Sequence, residues 1–241
     1  MTLGLIDIIN GILLLIIITI SIFVAVKIIS LYFKKKERVY LYSGATWIAL
    51  VSPWYAHCTA FIVTLFTGKG ISAELYFILG NILIPIGLIT WTTAFTELFY
   101  KKLQKIVLCI TILYAIIFYI LFFIALSTNP ILIGVLQGDI EVQYSRVVII
   151  YYLTLLATVL ITGIFFGLQS MKSDNPEIKL RAKLIIVAFI SYVIGISVDA
   201  IIEHTILTLI IIRLVELSST IEFYTAFIMP NIIKKHFLNN K

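Results

Sequence analysis

Along this chain apolar residues run in long blocks, and polar residues collect in the short gaps between them. Runs such as "GILLLIIITI" show none of the two-residue alternation of a half-buried strand. A membrane barrel, whose strands alternate over about ten residues, is therefore excluded. Blocks of about twenty apolar residues are what an α-helix needs to cross a hydrocarbon core of about 30 Å. The pattern predicts seven such helices, near residues 8–33, 40–66, 74–99, 106–126, 147–169, 182–202 and 205–229. The break between the last two, around "IIEHT", is short, so six spans with one very long final hairpin is a competing count. The expected fold is all-α: a polytopic bundle of seven transmembrane helices forming one membrane domain over residues 1–241.

Composition agrees with the pattern. Of 241 residues, 61% are hydrophobic and 12% charged, where a soluble domain carries about a quarter charged residues. The mean hydropathy is +1.12. No polar stretch reaches the roughly 50 residues of a second domain. The opening "MTLGLIDIIN" lacks the basic region of a cleaved signal, so the first block is expected to stay as a span.

Charge then orients the helices. Lys34, Lys35, Lys36 and Arg38 lie in the first connection, and Lys101, Lys102 and Lys105 in the third. The fifth holds Lys172, Lys179, Arg181 and Lys183, and the tail Lys234, Lys235 and Lys241. The opposite connections hold only Lys69 and Arg146. Basic loops stay cytoplasmic, so the N-terminus is expected outside, the C-terminus inside, and residues 230–241 as a short basic cytoplasmic tail. Lys27 snorkels from the first span. The net charge of +6 reads as topology signal and contact with anionic headgroups, not as a nucleic-acid surface.

Candidate chemistry is sparse. None of His57, His204 and His236 begins a His-Glu-x-x-His motif, and the three fall at different depths, so no metal site is expected. There is no phosphate loop, no nucleophile elbow, and no lysine between Thr205 and Met229 to hold retinal. No catalytic residue and no cofactor are assigned. Cys58 and Cys109 differ in depth by roughly 20 Å, beyond the reach of a disulfide, and are expected as two free, buried thiols.

Three features rise above the lipid background. The last span, "TLIIIRLVELSSTIEFYTAF", carries Arg213, Glu216 and Glu222. Each charge at a helix centre costs about 2.5–3.5 kcal/mol on insertion, so the charges must be paired or face protein. Arg213 and Glu216 share a face, Asp199 of the sixth span lies within reach of Arg213, and Glu222 points about 180° away to a separate contact. Two readings stand: an ion pair locking the last two helices, or a polar site for an ion, proton or ligand. The second feature is Pro53 in "SPWYAHC" and Pro85 in "GNILIPIG", which remove helix hydrogen bonds near the membrane middle. Trp54, Tyr55, His57, Asn81 and the deeper Trp91 could line a pocket beside the kinks, although proline is common in membrane helices and plain bending is the default reading. The third is Glu97 in "TAFTELF", within a turn of Lys101 or Lys102. Gly163 and Gly167 form a Gly-x-x-x-Gly that permits close helix approach. In "KSDNPEIKLRAKLIIV", Asp174 or Asn175 caps a helix that starts at Pro176. Its Lys179, Arg181 and Lys183 offer either snorkelling charges or a docking surface. The longest outer loop, "STNPILIGVLQGDIEVQYSR", has an apolar middle, "ILIGVL", expected to dip toward the headgroups.

The layout of seven spans, a third span reading "AELYFILGNILIPIGLITWTTAF" and a capped entry "NPEIKLRAKLIIVAFISYVIG" into the sixth resemble the seven-helix sensor region found N-terminal to some prokaryotic histidine kinases. Those kinases continue into a phosphoacceptor helix and an ATP-binding domain that this chain does not contain. The resemblance thus implies a stand-alone sensor or receptor-like module in the cell membrane, signalling through a cytoplasmic partner. A small transporter or channel subunit using the polar residues of the last two spans is the alternative, and an intramembrane enzyme the third. The expected partners are the bilayer, a cytoplasmic signalling protein and further copies of the chain, with no nucleic acid.

Overall fold

The computed structural model describes residues 3–202 and 204–238. The helices are α1 (Leu5–Lys35), α2 (Arg38–Leu50), α3 (Pro53–Thr67), α4 (Ala73–Asn81), α5 (Ile84–Phe99) and α6 (Gln104–Thr128). After a hairpin of β1 (Gly134–Gln137) and β2 (Glu141–Tyr144) come α7 (Arg146–Ser170), α8 (Pro176–Asp199), α9 (Ile206–Ile228) and the short α10 (Asn231–Leu238). Among the described residues, five helical segments are long and apolar enough to cross a membrane. They are α1, the run Ala73–Phe99 formed by α4 and α5, α6, α7 and α8, with a sixth if α2 and α3 count as one span bent by 48°. The long α9 differs from these in its three charges.

Local chemistry sets the ends. Proline at the first turn of α3 ends α2 just ahead of it, and Pro85 lies in the first turn of α5, just past the break after α4, because the ring removes a hydrogen bond and crowds the preceding turn. Asn175 caps α8 by accepting from the Glu177 N–H at 2.8 Å, and Pro176 follows at the first helical position. Gly68 ends α3 in the left-handed conformation (φ 71°), which an L side chain adopts only with strain.

The helices pack in neighbouring pairs, α8 on α9, α1 on α2, α2 on α5, α7 on α8 and α1 on α9, while α6 leans chiefly on α5. Gly163 and Gly167 bring α7 against α8 so closely that an added Cβ would run into Phe189 or Ile186. A layer of buried rings fills the middle: Trp47 stacks on Phe223 at 4.4 Å, Trp91 meets Phe189 at 4.7 Å, and Tyr192 meets Trp47 at 5.4 Å.

The two ends of the bundle differ. At one end the start of α1, the hairpin and the α8–α9 turn meet, and the Gly70 N–H reaches Asp139 of the hairpin turn. At the other lie the basic connections, where Arg181 and Lys234 converge on Glu177. The final residues of the tail, Lys241 among them, lie outside the described residues.

One expectation gains detail and one needs correction. The loop after α6 is not a plain apolar segment. It folds into an antiparallel hairpin turning at Gly138 (φ 69°), and it buries Ile133 and Ile140 against the bundle while Ile131 and Leu132 stay exposed. Of the two free cysteines, Cys58 is buried but Cys109 is exposed. It sits on α6, which has neighbours on little more than one side.

Candidate functional site

Arg213 is 3% exposed, and each nitrogen of its guanidinium has a different partner. Nη1 donates to Glu216 Oε2 at 2.7 Å, Nη2 lies 3.0 Å from Asp199 Oδ1, and Nε donates to Asn10 Oδ1 at 3.0 Å. The predicted partners Glu216 and Asp199 are thus both taken at once. A planar fork with five N–H donors can serve several acceptors in one plane. Asp199 in turn sits 3.1 Å from His204 Nε2 in the α8–α9 turn, and His204 Nδ1 lies 4.0 Å from Glu141 of β2. One charged chain therefore joins the hairpin, the turn, α8 and α9, with Asn10 adding α1.

This chain forms part of the wall of a cavity of about 320 Å³. The break before Pro53 turns α3 so that Trp54 and His57 face this space, and Tyr144 and Tyr152 line it from the hairpin and α7. His57 Nε2 is buried without a hydrogen-bond partner among the described residues. Asn81 stands behind the wall, where its Oδ1 accepts from the Tyr152 hydroxyl at 2.7 Å and fixes that ring. Towards the hairpin end a wider, open depression is bordered by Asp7, Glu141 and His204. In the other direction Ser219 and Thr220 donate to the Glu216 carbonyl, and Ser21 meets Thr220 at 3.2 Å. Beyond them lie Trp47, Tyr192 and Phe223, each nearly inaccessible.

No family model matches the chain, and no curated protein matches it either. The site is therefore read from its own chemistry.

Several candidates fall elsewhere. Trp91 lines no polar space: it is 1% exposed, donates Nε1–H to Thr162 at 2.7 Å and packs against Phe166 and Phe189. A membrane indole needs one acceptor and an apolar bed, and both lie on α7 and α8. Glu222 is separate from the Arg213 cluster, half-buried beside Ser191 and Ser218. Of the docking candidates, Lys179 and Lys183 are exposed. Arg181 is not available, since it donates to the carbonyls of Ala226 and Phe227 at 2.8 and 2.6 Å and pairs with Glu177. It satisfies the open C-terminal carbonyls of α9. Glu97 and Lys101 stand 3.9 Å apart, a loose surface pair.

His57 and His204, expected at different depths, line the same cavity, because the helix break and the turn bring them together. Among the described residues no three His, Cys, Asp or Glu side chains converge as a metal-binding group. Sequence reasoning passed over Asn10, Glu141, Tyr144 and Tyr152. Asn10 had a signal, an amide inside an otherwise greasy helix. The others depend on the hairpin. The hydrogen bond to Asp199 holds the His204 imidazole above its ordinary value, and burial raises the Glu141 carboxyl.

Proposed function

We propose that the chain is a seven-span cell-membrane sensor that takes a small polar solute into the cavity beside Arg213 and signals through a cytoplasmic protein. In this reading α9 is the seventh span, made insertable by pairing its charges, and the basic end faces the cytoplasm. The single observation that carries the reading is the shape of the polar space. Its wall runs from Glu141 and His204 of the hairpin end to Leu50 and Pro53, and none of Ser219, Thr220 and the buried Trp47, Tyr192 and Phe223 belongs to it. A dead-end pocket suits detection, whereas transport needs a path through. The resemblance to kinase sensor regions points the same way, and exposed Lys179 and Lys183 are the docking surface it offers a partner. The run Glu216, Ser219, Thr220 and Ser21 favours transport as the second reading, because it extends polarity below the cavity.

Single cysteines separate the two. In a chain whose own cysteines are replaced by serine, Val142→Cys should react with an impermeant maleimide from outside, and Ser219→Cys from neither side. Labelling of Ser219→Cys from the cytoplasmic face would sink the sensor reading in favour of transport. Labelling of Val142→Cys from the cytoplasm alone would reverse the orientation.

A further inference from the structure

A second space lies far from the charged cluster, between α5, α6 and α7. It measures about 550 Å³, and its walls include Phe95, Tyr100, Leu103, Ile110, Thr158 and Thr162. Six threonines line it, which suggests a polar site by composition. The hydrogen bonds say otherwise. Thr92, Thr96, Thr111, Thr154, Thr158 and Thr162 each donate the hydroxyl to a carbonyl one turn back on their own helix, at 2.5–2.9 Å. Thr162 also receives the Trp91 N–H. With the hydroxyls spent, these side chains present mainly their methyls, and the groove is apolar in effect.

Its dimensions and its mouth narrow the occupant. Along α6 the lining runs from Leu103 to Tyr114, about 16 Å at 1.5 Å per residue. That matches the depth of one leaflet, half of a core of about 30 Å. At the Leu103 end stand Lys101, Lys102 and Lys105, all exposed, with Glu97 in loose contact with Lys101. An acyl-length groove with three cations at its interfacial end fits a molecule with an apolar tail and an anionic head.

We propose that this groove is a binding site for an anionic phospholipid of the leaflet at the basic end, with an acyl chain between α5, α6 and α7 and the headgroup phosphate on Lys101, Lys102 and Lys105. The site adds to the hold on α6, which otherwise leans chiefly on α5 and on Tyr151 of α7.

The test uses the full chain in mild detergent, with bound lipid read by native mass spectrometry. The probes are phosphatidylglycerol, phosphatidylcholine of the same chain length, and soluble glycerol phosphate. The wild type should retain phosphatidylglycerol in preference to phosphatidylcholine. The K101Q/K102Q/K105Q chain should lose that preference by about fivefold per lysine. These residues are exposed, so the fold should survive the change. Thr158→Phe, which fills the groove, should reduce retention of both lipids, and glycerol phosphate should not compete. Equal retention of the two lipids by the wild type overturns the proposal. So does a preference that survives the triple change, or competition by glycerol phosphate, which would reduce the site to a surface phosphate contact.

Discussion

The helices α6 and α9 are nearly equal in length and opposite in design. From Ile106 to Thr128 α6 carries no charge, yet only 22% of its most apolar stretch is buried. α9 carries three charges and places two of them, Arg213 and Glu216, among the least exposed residues of the molecule. In water this ranking would be reversed. In a bilayer the surrounding solvent is as apolar as leucine, so greasiness gives no reason to leave the surface. Polar groups are what must be brought inside. Hydropathy here marks the outside of the bundle, and charge marks its centre.

The comparison breaks most severely if the centre is emptied. Arg213→Leu leaves Glu216 buried without its partner and Asp199 with His204 alone. Removing one member of a buried pair costs about 3–5 kcal/mol, so thermal unfolding in detergent should show a large loss. The double variant R213L/E216L should regain much of it, since Asp199 keeps its contact with His204. A wild-type melting temperature for Arg213→Leu alone would mean the cluster does not hold α9 to α8 and α1.

A smaller effect is expected where helices touch without charge. At Gly167 a Cβ would meet Ile186 and come within 3.0 Å of the Ala182 carbonyl. Gly167→Val should therefore force α7 away from α8 at a cost of about 1–3 kcal/mol, read as a lower denaturation midpoint. A neutral result would show that the α7–α8 contact is slack and that the two helices owe their pairing to neighbours.

How much of this was legible follows the same division. Among the described residues α1 to α9 fall on the seven apolar blocks, five segments or six with the bent α2–α3 pair being long and apolar enough to cross a membrane, because backbone hydrogen bonding inside lipid forces helices wherever the chain is greasy. Arg213, Glu216 and Asp199 were legible because a charge in such a block must have a partner within reach. Pro53 announced the break that opens the cavity. The hairpin was not seen, although "GVLQGDIEVQY" carries a Gly-containing turn between short alternating runs. With it went Glu141 and Tyr144, whose place in the wall depends on contacts far along the chain. Trp91 was assigned by depth alone, and depth does not say which way an indole faces.

The hairpin end adds a pH-dependent link to the central cluster. His204 stands between Asp199 and Glu141, and its pKa is raised above the ordinary 6.5, first by the hydrogen bond to Asp199. A group raised on folding contributes stability in full below its unfolded value, and loses it as pH rises through the folded value. The wild type should therefore be more stable near pH 6 than near pH 8.5, by less than about 1 kcal/mol because the ring is partly solvated. His204→Asn should flatten that slope. A slope unchanged in His204→Asn would assign the pH dependence to another group and leave the hairpin unlatched.

The smallest effect belongs to the outer face of α6. Leu113 and Ile120 are 58% and 54% exposed and border neither groove of this helix. If lipid is their only neighbour, Leu113→Ala and Ile120→Ala exchange one apolar contact for another. Each should then change the midpoint by less than about 0.5 kcal/mol, despite removing as much hydrocarbon as a core truncation. Should either cost more than about 2 kcal/mol, a value typical of a packed leucine or isoleucine, the face is covered by protein. The only cover consistent with a purified chain is a second copy. The loss should then grow as the protein is diluted in detergent, because dilution separates copies and leaves a lipid contact untouched. Concentration dependence thus decides whether α6 is a surface or half of an interface.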